Sequence, residues 1–522
     1  MDLPSTEQHA QGSTAVAPTF MQRIFTRNFM NVALLMLMPM LFSSFLNLQR
    51  LLVIDPDVWW HLANARMLFA THHFIWADTY SFTVHGQLWV NPEWLSEIPL
   101  WLSYRIFNLQ GLYLVAWLGI CANILFVYWR AMRVSNHVGA AFYAAGIASL
   151  MMTVNCSPRT IQFAYIALSA ELAILETGTP KRQKLLWLLP PLFCVWINLH
   201  GTWIIGLALL GLYIVSGLFS FNKGVFEQTA FSAPERKRLI TVFALSAAAL
   251  FINPYGWRLV WNPFDMMFNQ STNIGNISEW TPLTFGSMEG VAVLSGIAIM
   301  ILAACLRPRK WRIHELAFVL FAWFAALDHH RFAYLAAVIT TPFVAADFAR
   351  TFFSEPDNKT IPAMNALLAA VAAVAMFFLF PSQKALREGI DTWFPPRLLA
   401  SIQPTWRTWA WDDLGGMMIF MGKPVFYDSR VDIFDHNGIL QDYLTAMHGR
   451  DVFEMLDKYK IDHVLVMKNM PMAYILSRSS GWQLTGTEER HDQVFVMFAK
   501  DTSSHLVPED AKPISPQRHT GH

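Results

Sequence analysis

Residues 55–61 read Asp-Pro-Asp-Val-Trp-Trp-His, and they follow closely on an apolar run at 30–48. Two carboxylates, two tryptophans and a histidine at the mouth of a membrane helix are hard to explain as scaffold. Ionisable groups at the edge of a span face a cavity or an aqueous path. Asp57 reads either as a functional carboxylate or as a cap on free amides at a helix start. Trp59 and Trp60 read first as interfacial anchors and second as platforms for stacking a sugar. From His61 onward, apolar residues recur at helical spacing, interrupted by Asn64 and Arg66, which predicts an amphipathic helix on the membrane surface.

The rest of the chain supports a membrane setting. Of 522 residues, 54% are hydrophobic and 14% charged, against about 25% charged in a soluble domain. Mean hydropathy is +0.33. Apolar runs at 30–48, 110–130, 138–154, 160–177, 184–199, 202–221, 238–252, 290–306, 313–327, 332–349 and 361–380 describe an α-helical polytopic membrane protein. The net charge of +1 and the lack of a basic tract exclude a nucleic-acid partner. The four cysteines show neither disulfide nor zinc spacing.

Basic residues set the orientation. Arg23 and Arg27 place the N-terminus in the cytoplasm. Arg130/Arg133, Lys181–Lys184, Lys223 with Arg236–Arg238, Arg307–Arg312 and Arg350 then all fall on the cytoplasmic side if about eleven spans cross. Residues 93–107 are read as an interfacial or partly inserted helix, because a separate crossing there would invert every later loop. The opposite loops gather Asp55–His61, Asn91-Pro-Glu93, Ser157-Pro-Arg159, Asn198-Leu-His200-Gly201, Asn253-Pro-Tyr-Gly256, Glu279-Trp280 and Asp328-His-His-Arg331 on one outer face.

The expected domains are a cytoplasmic tail (1–29), a transmembrane domain (30–380) whose first outer loop is 49–92, an extracytoplasmic α/β domain (381–500) and a polar tail (501–522). Strand-like runs at 424–428, 462–467 and 493–499 alternate with helical patterns at 438–447, 451–459 and 471–479. Residues 395–499 are expected to fold on their own.

Chemistry can be read from the outer cluster. A carboxylate such as Asp57 or Asp55 can act as general base on a hydroxyl. Asp57 can also hold a divalent metal (Mg or Mn) with help from Glu93 or a histidine. Arg159 and Arg331, on the side where basic residues are disfavoured, suit a phosphate on a lipid carrier; pairing with Asp328 or a lipid headgroup is the alternative. His200 can ligate a metal, bond a phosphate or serve as a structural histidine, and His61 and Glu93 line the same face.

These motifs together resemble the membrane-embedded GT-C glycosyltransferase superfamily, which includes protein O-mannosyltransferases, aminoarabinose transferases and oligosaccharyltransferase catalytic subunits. Within it, the chain is similar to a bacterial branch carrying Asp-Pro-Asp-hydrophobic-Trp-Trp-His-Leu. The stretch Trp89 to Glu97, Asn198–Gly201, Asn253–Gly256 and the Asp-x-Arg-x-Asp segment Asp428–Asp432 match that branch in order, over most of residues 30–500. Two positions depart from it: the branch often has Arg-Pro where Pro158-Arg159 stands, and arginine is common at the histidine pair before Arg331.

The resemblance implies inverting transfer of a sugar from a polyprenyl-phosphate donor at the outer face of a bacterial inner membrane. It implies Asp57, or Asp55, as base or metal ligand. Two rival readings stay open: a transporter or flippase for lipid-linked sugar or polysaccharide, and a catalytically silent assembly protein. Sugar and acceptor are not legible.

Overall fold

A computed structural model describes residues 32–45, 55–155, 157–178, 181–276, 280–353, 362–490 and 493–501. Glu279, the tail 1–29 and all but the first residue of the tail 501–522 lie outside the described residues.

A helix occupies each of the eleven apolar runs: Val32–Phe45, Leu109–Ser135, Val138–Met151, Ile161–Leu175, Leu189–Leu199, Trp203–Ser216, Ala233–Ala249, Met288–Leu306, Ile313–Asp328, Ala333–Phe352 and Pro362–Leu379. Among the described residues, three helical stretches are long and apolar enough to cross a bilayer: Leu109–Ser135, Met288–Leu306 and His330–Phe352. A fourth arises if Ala363–Leu379 and Gln383–Trp393, bent by 51°, count as one span. The other runs form shorter helices, so helix length leaves the number of spans open.

Local sequence explains some of the shortening. Pro190 and Pro191 sit in the first turn of Leu189–Leu199, where proline is tolerated because its missing N–H has no partner to lose. The run 184–199 accordingly breaks into a short helix, a 3-10 turn and this helix.

Ala333–Phe352 is the central helix, buried from Ala333 through Ala345. It packs on Leu109–Ser135 and Val138–Met151. Small residues make that approach close: Ala336, Ala337, Ala140, Ala141 and Ala144 are all buried.

The C-terminal unit carries four strands: β3 (Thr408–Ala410), β4 (His463–Met467), β5 (Trp482–Arg490) and β6 (Gln493–Lys500), following a small hairpin of β1 (Phe221–Lys223) and β2 (Phe226–Gln228). The sheet order is β3-β4-β6-β5. β3 runs parallel to β4, with Thr408 opposite His463; the other pairs are antiparallel. The strand-like runs at 462–467 and 493–499 become β4 and β6. The run at 424–428 does not become a strand of this sheet. It lies against the first outer loop instead, through a Ser81–Val425 bridge, Phe82 N–H to the Val425 carbonyl at 3.0 Å and the Thr83 hydroxyl to the Phe426 carbonyl at 2.6 Å.

One apolar core therefore spans both regions. Val58, Trp59, Leu62 and Trp89 pack in one cluster with Trp409, Leu414, Phe426, Phe434 and Val464. Expressed alone, residues 395–499 would expose to water the part of this cluster that packs on Val58, Trp59, Leu62 and Trp89. The fragment is expected to aggregate instead of unfolding in one cooperative transition; a soluble fragment with a two-state melt would show the shared core to be dispensable.

Candidate active site

The helix Pro56–Thr71 opens the site. Asp55 is its N-cap, and its side chain accepts the Asp57 N–H at 3.0 Å. The capping alternative weighed for Asp57 thus belongs to Asp55. The other oxygen of Asp55 accepts the Ser157 hydroxyl at 2.6 Å and pairs with the Arg159 guanidinium. Burial works to raise the Asp55 pKa, but Arg159 and Ser157 outweigh it and hold the carboxylate below its ordinary range.

Asp57 is the freer of the two. One oxygen accepts the Trp60 indole N–H at 3.2 Å, and the other stands 3.9 Å from Arg159 Nη2. Its side chain is 29% exposed against 5% for Asp55. Burial and the neighbouring Asp55 charge raise its pKa, with Arg159 and nearby Ser429 acting the other way. The pair is thus split: Asp55 is neutralised by a guanidinium, whereas Asp57 is a recessed carboxyl with raised basicity.

A second wall follows from helical spacing. Glu93 caps and Glu97 sits in the first turn of Trp94–Phe107, so their four-residue separation puts both on one face. His61 lies between them, with Nδ1 2.9 Å from Glu97 and Nε2 3.3 Å from Glu93. Burial disfavours a charged imidazole, yet the two carboxylates win and His61 has a raised pKa. The Glu97 Oε1 atom also accepts from Asn64 at 3.1 Å and Asn91 at 2.9 Å.

His200 completes the wall. Its Nδ1 accepts the Thr202 backbone N–H at 3.1 Å, leaving Nε2 to carry the proton toward Glu93, 3.2 Å away. Burial and the positive charges of Arg331, His61 and Arg159 push its pKa down to about 3. His200 is therefore neutral, and its contact with Glu93 is a hydrogen bond and not an ion pair. Glu93 also accepts the Thr160 hydroxyl at 2.9 Å. The turn is fixed by Asn198, which accepts from the Trp94 indole at 2.8 Å and donates to the Ile252 carbonyl at 3.0 Å.

Asp55, Asp57 and Arg159 thus meet directly, as do His61, Glu93 and His200. Arg331 stacks 4.5 Å over Trp280 and reaches the group through its charge on His200. Trp59 and Trp60 correct the sequence reading: they are 2% and 6% exposed, Trp59 against Phe394 and Phe420 and Trp60 against Trp89. They are core side chains, because the C-terminal unit covers the helix half that was expected to lie on the membrane surface. The Asn253–Gly256 motif is a turn. Asn253 accepts the Tyr255 N–H at 2.8 Å, and Gly256 takes φ +59°, a conformation that glycine adopts without strain.

The sequence reading gave no role to three contributors. Glu97 carried a signal, its spacing from Glu93. Ser429 lay within the Asp428–Asp432 motif, whereas Asp413, also from the C-terminal unit, carried none. Burial and the charges of Asp412, Asp55 and Asp57 push the Asp413 pKa up to about 7. The approach is set by Gly416: a Cβ there would stand 2.0 Å from the Pro56 carbonyl oxygen. Gly416→Ala is expected to push the Gly415–Phe420 helix off the start of Pro56–Thr71 and destabilise the protein by about 1–3 kcal/mol. A thermal melt in lipid nanodiscs checks this, and an unchanged melt would mean that the contact relaxes without cost.

The residues do not suit a metal as arranged. Among the described residues, no group of three or more His, Cys, Asp or Glu side chains could hold one. Asp57 and Glu93, the metal candidates, are engaged by the Trp60 indole and by two imidazoles respectively.

No protein-family model matches the chain, and no curated protein matches it by sequence. Among solved structures, it is similar to the archaeal oligosaccharyltransferase AglB from Archaeoglobus fulgidus, in complex with an inhibitory peptide and a dolichol-phosphate, at 12% identity and TM-score 0.49, over 83% of this chain and 69% of that one. It is also similar to ArnT from Cupriavidus metallidurans bound to undecaprenyl phosphate, at 15% identity and TM-score 0.49, over 89% and 97%. A third likeness is to the arabinofuranosyltransferase AftD from Mycobacteria, at 13% identity and TM-score 0.47, over 91% of this chain and 41% of that one. At these values the likenesses carry no argument about activity.

Proposed function

We propose that the chain is an integral membrane glycosyltransferase of GT-C type. It transfers a sugar from a polyprenyl-phosphate donor to an acceptor on the outer face of a bacterial inner membrane, with inversion. The ordered motifs motivate the class. The observation that carries the reading is the division of labour in Asp55–Asp57: one carboxylate is occupied by Arg159, the other recessed, partly exposed and more basic than usual.

In a single displacement the acceptor hydroxyl attacks the anomeric carbon as the bond to the phosphate oxygen breaks. The hydroxyl proton passes to Asp57, and the bond's electron pair leaves with the polyprenyl phosphate. Proton transfer to a positioned base contributes about 10²–10⁴-fold. Arg159 and Arg331 place positive charge where the leaving phosphate forms, beside His61, whose pKa is raised. Asp55 orients Arg159 and does not itself take a proton, and neutral His200 holds Glu93 in place. No step is routed through a metal.

The candidate site's polar groups lie at helix ends, in the first turns of Pro56–Thr71 and Trp94–Phe107, just before Ile161–Leu175 and just after Leu189–Leu199, which favours transfer over transport. The test supplies purified protein in nanodiscs with a panel of radiolabelled polyprenyl-phosphate sugars and hydroxyl acceptors. Release of polyprenyl phosphate with label on an acceptor is expected. If label only crosses the membrane of sealed vesicles, unchanged and still lipid-linked, the chain is a flippase.

A further inference from the structure

The helix Trp257–Asn269 has three distinct edges, although it is too short and too polar to count among the candidate spans. At about 100° per residue, Trp257, Trp261, Phe264 and Phe268 share one edge. Arg258, Asn262, Asp265 and Asn269 form the next. Leu259 and Pro263 form the third, which faces the protein: Leu259 is buried, and Pro263 lies 3.7 Å from where a Cβ on Gly201 would stand, beside His200.

Three of the four aromatic residues on that edge are bare, while Phe264 is half-buried against the core. Trp257, Trp261 and Phe268 are 60%, 51% and 71% exposed. In the segment just before this helix, Ile240 and Leu245 of Ala233–Ala249 and Phe251 and Ile252 beyond it are also exposed. The polar edge meets the outer unit: Asp265 pairs with His436 at 2.6 Å, and just beyond the helix the Asn273 N–H donates to Asp435 at 3.2 Å.

We propose that Trp257–Asn269 is a membrane-surface anchor for the outer unit. Its occupant is lipid: the aromatic edge lies at the boundary between headgroups and acyl chains, where amphipathic aromatic rings are favoured. The Asp265–His436 contact then ties the outer unit to that surface, beside the His200 turn. The further exposed apolar side chains of the segment leading into it, Ile240, Leu245, Phe251 and Ile252, favour lipid over a protein partner. The inference rests on membrane embedding and not on sugar transfer, so either can fail without the other.

The test places a photo-crosslinking phenylalanine analogue at position 261, 268 or 269 of the full chain. The protein is reconstituted in phosphatidylcholine–phosphatidylglycerol vesicles. All three side chains are exposed, so the core is left intact, and position 257 replaces 261 if that variant does not accumulate. Lipid adducts are expected at 261 and 268 and lost at 269. Equal adducts at all three positions, no lipid adduct at 261 and 268, or protein adducts there instead would overturn the proposal.

Discussion

Asp57→Asn is expected to lower the transfer rate by about 10²–10⁴-fold, the range for loss of a positioned base, with little change in expression or melting. The side chain keeps its size and can still meet the Trp60 indole, but it can no longer take a proton. The rate should also report the Asp57 pKa. A base acts when deprotonated, so the rate rises with pH through a limb set above the ordinary carboxylate range by burial and the Asp55 charge. Asp55→Asn removes that charge and frees Arg159 to pair with Asp57. Both changes favour the Asp57 anion, so the limb should move to lower pH, alongside some loss of stability from the lost Asp55–Arg159 ion pair, while asparagine keeps the cap. Full transfer by Asp57→Asn, or a limb that moves upward in Asp55→Asn, would remove Asp57 from the role of base.

The second large effect is expected at Arg430, inside the Asp428–Asp432 motif. Arg430 is 2% exposed. Its guanidinium grips Asp428 through Nε at 2.8 Å and Nη2 at 2.7 Å, and Nη2 reaches Asp78 of the first outer loop, also at 2.7 Å. Tyr80 and Trp89 stack at 5.0 and 4.8 Å. Arg430→Leu would leave two buried carboxylates without their cation. Breaking a buried pair in this way costs about 3–5 kcal/mol, read as a large drop in the melting temperature and faster proteolysis of the outer unit. Arg430→Lys keeps the charge but loses the planar fork, and should fall between. A melt of Arg430→Leu equal to that of the parent would show that the motif has another role.

That clamp shows what could and could not be read from sequence. Asp428–Asp432 was visible as a motif, but its partner Asp78 stands about 350 residues earlier in the chain, and nothing local to either segment marks the pairing. The Arg159–Asp55 pair, 104 residues apart, is of the same kind. Trp59 and Trp60 were misread for a related reason: an aromatic pair at a helix mouth looks the same in sequence whether lipid or a folded unit covers it.

The sequence by itself determined the helices, because length and apolarity of a run are local properties and a backbone removed from water must satisfy its hydrogen bonds internally. The distribution of lysine and arginine led to the expectation that the unusual residues share one face, and the motif marked Asp55 and Asp57 as the pair to watch. Only the tertiary structure decided which of the two is capped and neutralised and which stays accessible, since that depends on where Ser157 and Arg159 arrive. It also decided that protonation is favoured at His61 and disfavoured at His200. Two buried imidazoles differ in this way only because one lies between two carboxylates and the other faces arginines, and the packing of distant segments sets those neighbours.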